Sequence, residues 1–430
     1  MKFLTTTVIT LAIVAFASPA NLSARTSNHN EGLTSYTEGF AGYTEGSAKG
    51  MFHPSAETDP AEKILQEVEK NNTTLSALRK EALARKLGNR TDIYPSNPEV
   101  EFGYLWGSPS SMGTRQDFGV SQTLDFPLAY SYKKKIADLR DNQIDLEYQK
   151  SLRDIRYETS MVIYDLIYTN ALTIEIEKQY SNAKAIADAF KKRFDAGDVS
   201  RLELNKAEIN LYHVTKVLEH LNIDREYLLN QLSGLNGGVR IDFESSTFGS
   251  QLIPSSFENW YAEAEKESPV LGWLRQNIEI SQKEISLTKA LALPQITTGY
   301  MSEKVVGEKF QGVTFGITVP LWENKNKIKQ AKAAAEAAES LAADEKVRFY
   351  TSLKALHSKT IGLQNSVNDF QEKILTFNNV EMLRKALDLG ELSIIDYFHE
   401  VEFYYESIEH LLDLEREFNK TAAQLRLQIM

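Results

Sequence analysis

The sequence predicts a mainly α-helical protein with a smaller β component, built from one unit given twice: a helix, two strands and a long helical hairpin. Three observations predict it. The first is duplicated punctuation. Val120-Ser-Gln-Thr-Leu-Asp-Phe-Pro127 opens a stretch that closes at Gly197, and Val313-Thr-Phe-Gly-Ile-Thr-Val-Pro320 opens one that closes at Gly390. Each runs 70 residues from Pro to Gly, at a fixed offset of 193 (320 − 127 and 390 − 197). Spacing of this kind marks an internal repeat. The second observation is period-2 alternation ahead of each Pro, and the third is a seven-residue apolar stripe behind it.

The N-terminus comes first in the chain. Lys2, the apolar run Phe3 to Ala17 and then Ser18-Pro19-Ala20 form the pattern of a secretory signal peptide, residues 1–20. The run is short of the ~20 residues that span a bilayer, and no other run is long and apolar enough for a transmembrane helix. Membrane insertion would therefore have to be by strands. Residues 21–58, rich in Gly, Ser, Thr and Tyr, read as a flexible leader.

The first repeat covers 59–238. Asp59-Pro60 caps and starts a helix that stops near Gly88. Strands follow at about 98–107 and 115–126. Val100, Phe102, Tyr104 and Trp106, then Phe118, Val120, Leu124 and Phe126, alternate with polar or small residues. The second repeat covers 259–430. Ser268-Pro269 starts its helix, and strands at about 294–302 and 311–320 carry Ile296 and Tyr300, then Val313, Phe315, Ile317 and Val319. The offset falls from 196 (Pro98 to Pro294) to 193 (Val120 to Val313), so one connecting loop is three residues shorter in the second copy. Strands with one apolar face and one face of small polar residues fit a membrane barrel or a half-buried soluble sheet equally well.

The helices that follow decide between the two. From Leu152 a stripe of 13 positions reaches Phe194, all of them apolar except Thr159, Thr169 and Thr173; Leu353 to Phe377 repeats the pattern. A helix from Tyr132 to Phe194 is ~95 Å long at 1.5 Å per residue, a rod for which a compact domain has no use. Gly197 and Gly390 end the rods. Ser200 with Glu203 forms a capping box, Ser393 with Asp396 a shorter version, and each rod turns back at a tip, 194–200 and 387–393. Residues 239–258 connect the repeats.

Composition excludes several functions. A net charge of −11 speaks against a nucleic-acid partner. With no cysteine there is no thiolate site, disulfide or lipid-anchoring cysteine. No catalytic constellation stands out, so the chain is not read as an enzyme, and no cofactor is expected. Asp396-x-x-His399 and Glu406-x-x-x-His410 have helical ligand spacing, but no matching pair occurs elsewhere and no metal site is assigned.

Two polar clusters remain. Glu99, Glu101, Asp117 and Asp125 lie opposite the apolar strand side chains. In a barrel they would point into the lumen, either favouring cations or simply keeping it wet. The turns carry Asp198, Glu203 and Lys206, then Glu391, Asp396 and His399. Capping and the helix dipole explain Asp198 and Glu203; convergence of the turns on an axis would instead make a gate.

The strand-to-helix segments ending at Pro127 and Pro320, with the turns Phe194-Asp-Ala-Gly-Asp-Val-Ser200 and Leu387-Asp-Leu-Gly-Glu-Leu-Ser393, resemble the TolC-like outer-membrane efflux protein family over residues 59–430. Val120-Ser-Gln-Thr-Leu-Asp looks most like the metal-efflux branch typified by CzcC and CusC. The resemblance implies a homotrimer in the outer membrane. Its 12-stranded β-barrel would join a periplasmic α-helical barrel and passively conduct what an inner-membrane pump, RND-type favoured, delivers through a periplasmic membrane-fusion adaptor. The adaptor would dock at tip residues Phe194, Gly197, Val199, Ser200, Leu202, Leu387, Gly390, Leu392 and Ser393. Family gating carboxylates map onto Glu203 and Asp396, and one turn on they fall at Lys206 and His399, where this chain departs from an all-acidic constriction. The competing reading is an exported coiled-coil scaffold or adaptor with a soluble sheet.

Overall fold

The computed structural model describes residues 60–376, 382–383, 385–386, 389 and 391–429. The signal-peptide and leader expectations, and tip residues Leu387 and Gly390, lie outside the described residues.

Each repeat opens with two helices in place of one. Helices α1 (Pro60–Asn71) and α2 (Thr73–Gly88) are separated by Asn72, as α5 (Phe257–Glu267) and α6 (Pro269–Leu291) are by Ser268. Asn72 leaves helical geometry (φ −61°, ψ 120°) and its side-chain oxygen accepts the Leu75 N–H at 2.9 Å. Ser268 accepts from Leu271 N at 3.3 Å. The two caps stand at the same offset of 196 (268 − 72). Asn72 also donates its amide to Leu235 O at 2.7 Å, tying the break to the far end of the first hairpin.

Strands β1 (Glu99–Trp106), β2 (Thr114–Leu124), β3 (Gln295–Val305) and β4 (Glu308–Thr318) form one antiparallel sheet in chain order. The second hairpin is tighter than alternation suggests. β3 and β4 meet across Val306-Gly307, both at positive φ (50° and 97°), the geometry of a two-residue hairpin turn. The charged run Glu303-Lys304 and Glu308-Lys309 reads as loop in the sequence, yet it pairs across the ladder, Lys304 opposite Lys309.

Helix α3 (Pro127–Asp195) is one unbroken rod of 69 residues, about 104 Å long at 1.5 Å per residue. It returns as α4 (Arg201–Leu235). In the second repeat α7 (Lys327–Thr376) begins seven residues after Pro320, whereas α3 begins on Pro127 itself. Asn326 at φ 67° sits at that later start, and Leu321 to Asn326 form an irregular segment. Helix α8 (Ile394–Arg426) completes the second hairpin.

The predicted stripe is the buried seam of α3: Thr159, Val162, Leu166, Thr169, Ile176, Ala183, Ala187 and Phe190 are buried. Mid-helix the buried face widens to Ile163, Tyr164 and Ile167, because α1, α4, the connector and α8 all pack there. An ion-pair cluster joins the repeats at this level. Lys420 on α8 contacts Asp165 on α3 at 2.6 Å, and Arg416 lies 4.2 Å over the Tyr168 ring. The connector is held by His357, whose Nε2 is 2.8 Å from Pro254 O.

Candidate functional site

Two places bear on function: the faces of the sheet and the tips of the hairpins. Strand register sorts the sheet faces. Val100 pairs with Val120, Val120 with Tyr300, Tyr300 with Val313; Phe102 pairs with Phe118. All lie on one face, and Val100 (68%), Phe102 (70%), Val313 (89%) and Phe315 (70%) are exposed. Aromatic and branched residues at this exposure need another apolar phase against them.

The opposite face is mostly small and polar, though Leu105, Met301 and Phe310 share it. It carries Glu99, Glu101 and Asp117 beside Gly103, Gly119, Ser121, Gly299, Thr314 and Gly316. At Gly299 a Cβ would fall 2.5 Å from Val120 O and 2.9 Å from the Thr314 hydroxyl, so the close approach there requires glycine. Three charged residues of this face, Arg115, Glu303 and Glu308, went unnoticed in the sequence. Asp117 stands opposite Glu303, and Arg115 bridges them, its Nε 2.9 Å from Asp117 and 3.0 Å from Glu303. The face is thus acidic with one embedded cation. Alternation alone could have flagged Arg115, since it shares parity with Asp117.

Asp125 departs from its expected place on that face. Strand β2 ends at Leu124, and Asp125 lies in the bend into α3, 2.9 Å from Lys133 Nζ and accepting the Gln295 amide at 2.8 Å. Burial pushes its carboxyl up, but Lys133 and Gln295 outweigh that and hold it below the usual aspartate value. It braces the first strand pair to the second where sheet meets helix. An open cleft of about 800 Å³ lies beside it, lined by Asp92, Tyr94, Tyr130 and Lys133.

At the first tip, Gly197 takes φ 84° and Asp198 N–H donates back to Arg193 O at 2.8 Å. This is the left-handed helix stop. Ser200 N–H donates to Glu203 Oε2 at 2.6 Å while Glu203 N–H donates to Ser200 Oγ at 3.3 Å, a complete capping box. Bonds from the Ser200 hydroxyl and amide hold the Glu203 carboxyl below its ordinary value. At the second tip Asp396, one methylene shorter, accepts the Ser393 hydroxyl at 2.7 Å instead of closing the box.

The two tips are packed together. Phe190, Leu204 and Ala207 of the first hairpin join buried Tyr397, Val401 and Tyr405 of the second. Phe194, Val199 and Leu392, read as docking residues, turn partly into this cluster. Gly197, Ser200 and Ser393 shape the turns. Among the described residues, Leu202 (66%) and Leu389 (73%) are left as exposed apolar surface at the tips; Leu389 was missed because nothing periodic marks it. Asp198, Lys206, Glu391, Asp396 and His399 are exposed and Glu203 is half-buried. Of the spaced histidines, His410 packs edge-on against the Phe370 ring at 5.4 Å. No group of three potential metal ligands occurs among the described residues.

No family model and no curated protein matches the chain. Solved structures do. It is similar to the CmeC outer-membrane channel of Campylobacter jejuni (TM-score 0.71, 13% identity, 94% of either chain covered). The fold is that of the TolC-like outer-membrane channels. CusC, whose crystal structures concern folding and transmembrane channel formation, gives a TM-score of 0.72 at 13% identity over 86% of this chain and 91% of its own. The open-state MtrE outer-membrane channel of Neisseria gonorrhoeae gives 0.69 at 14% over 86% and 89%. The likeness to CusC and to CmeC is nearly equal, so the fold does not single out the metal-efflux branch.

Proposed function

We propose that this chain is the outer-membrane channel component of a tripartite efflux system, passively conducting what an inner-membrane pump passes to it through a periplasmic adaptor. The observation that carries this is the sheet. It exposes an apolar face, keeps a mostly small and polar face opposite, and leaves both edges, β1 and β4, open. Open edges and exposed apolar faces are liabilities in water. Three copies joined edge to edge would close 12 strands, remove every edge, put the apolar face in lipid and enclose a wet lumen.

The rods fit the same assembly. Ile209 (69%), Tyr212 (65%), Ile223 (67%) and Tyr227 (62%) leave an apolar stripe along α4 without cover in one chain. Neighbouring copies would bury it and complete a helical cylinder. The tips, with Leu202 and Leu389 outermost, are the adaptor-docking end, and the exposed Asp198, Lys206, Glu391, Asp396 and His399 are the mixed-charge gate. Glu99, Glu101 and Asp117 line the lumen and favour cations, with Arg115 lowering that preference.

Reconstitution into planar bilayers tests the reading. A detergent-extracted protein that conducts, with a reversal potential showing cation preference, is the expected result. Protein that is soluble without detergent and never conducts would point to a scaffold. A deletion strain sensitised to metals, dyes, bile salts or antibiotics would name the cargo class.

A further inference from the structure

Below the sheet, both repeats place the same features at the 193 offset. Leu128 and Leu321, directly after each Pro, are exposed at 52% and 69%. Lys134 and Lys327 follow six residues on at matched positions. In the second repeat the late start of α7 leaves Leu321-Trp322 in the irregular segment, with Trp322 81% exposed.

The charge here runs against the rest of the molecule. In a chain of net charge −11, Lys133-Lys134-Lys135 and Lys325, Lys327 and Lys329 crowd the tops of the two descending helices. Neither helix has an acidic residue in its first turn. Lys133 is committed to Asp125 and Lys327 lies 3.5 Å from Glu323. Lys134, Lys135, Lys325 and Lys329 are exposed and make no ion pair among the described residues. Lys135 lies 6.0 Å from the Tyr132 ring, which lends its apolar stem support.

We propose that this belt is a binding surface for anionic phospholipid headgroups of the leaflet facing the rods. It rests on the channel reading above, because the apolar sheet face sets where the bilayer ends. Exposed leucine and tryptophan at the foot of that face, with lysines one or two turns lower, reproduce the order in which a bilayer presents acyl boundary and then phosphate. Lysines without carboxylate partners complement that phosphate layer.

The test uses the full chain in nanodiscs of phosphatidylethanolamine, alone or doped with phosphatidylglycerol. Retained lipid is read by native mass spectrometry and conductance is read in the same lipids. Phosphatidylglycerol should be retained in preference. The fourfold substitution Lys134→Gln, Lys135→Gln, Lys325→Gln, Lys329→Gln should cut that preference by roughly fivefold or more for each lysine in contact. Lys184→Gln with Lys191→Gln, far down α3, should leave it intact. A conducting protein without the preference, or a preference that survives the fourfold change, overturns the inference alone. A variant that falls to monomers in both lipids overturns it too, since the lysines would then bridge copies. A protein that neither inserts nor conducts overturns the channel reading beneath it.

Discussion

Single residues at the tips and between the rods carry stability that titrates. Ser200 and Glu203 cap α4 reciprocally, so Ser200→Ala should cost about 1 kcal/mol locally. Faster hydrogen exchange at the Glu203 amide is the expected readout, because fraying of one turn barely moves global unfolding. The Glu203 carboxyl is held below its ordinary value. Its contribution is therefore complete above the unfolded-state value and is lost as pH falls through the lowered one. Glu415 on α8 behaves oppositely. Burial pushes its carboxyl up to about 7, against the opposing pull of the Gln371 amide 2.5 Å away. A folded state that keeps its proton longer loses stability as pH rises from the ordinary glutamate value towards 7. Glu415→Gln removes the ionisation while retaining an acceptor for Gln371. Thermal unfolding should show the variant gaining on the native chain at pH 8 relative to pH 5. An equal difference at both pH values would contradict this.

At the scale of elements, glycines separate close approach from mere flexibility. Gly299 has backbone and Thr314 within 3 Å of an added Cβ, while Gly312 on β4 has nothing within 4 Å. Gly299→Ala should therefore break the β2–β3 register and with it detergent-resistant assembly, whereas Gly312→Ala should leave both unchanged on gel electrophoresis. Much of this level was legible in the sequence. The stripe from Thr159 to Phe190 predicted the α3 seam because a seven-residue period has one physical meaning on a long helix. Ser200 with Glu203 predicted a cap because both bonds are local. The β3–β4 turn was not legible. Val306 at positive φ is a conformation its branched side chain disfavours, and charged pairs flanking the turn mimic loop. The break at Asn72 was hidden because an Asn within an apolar-periodic run looks like an ordinary helical residue until Leu235 is brought beside it. Asp125 kept strand parity, and only the actual end of β2 shows that it serves the bend.

For the whole molecule, the governing fact is how much one chain leaves unsatisfied: an apolar sheet face, the unpaired backbone of two sheet edges and apolar stripes along the rods. The proposed closure by three copies in a bilayer would account for all of it at once. The absence of cysteine makes this directly testable. Within one chain β1 and β4 are separated by two strands, about 14 Å at the usual strand spacing, too far for a disulfide. Single cysteines on the polar face of β1, scanned as Glu99→Cys, Glu101→Cys and Gly103→Cys, are each combined with Gly312→Cys, Thr314→Cys or Gly316→Cys on β4. After oxidation in outer-membrane fractions, at least one pair should give covalent dimers and trimers and nothing larger. Monomers from every pair, or a ladder continuing past trimers, would contradict a closed three-chain barrel.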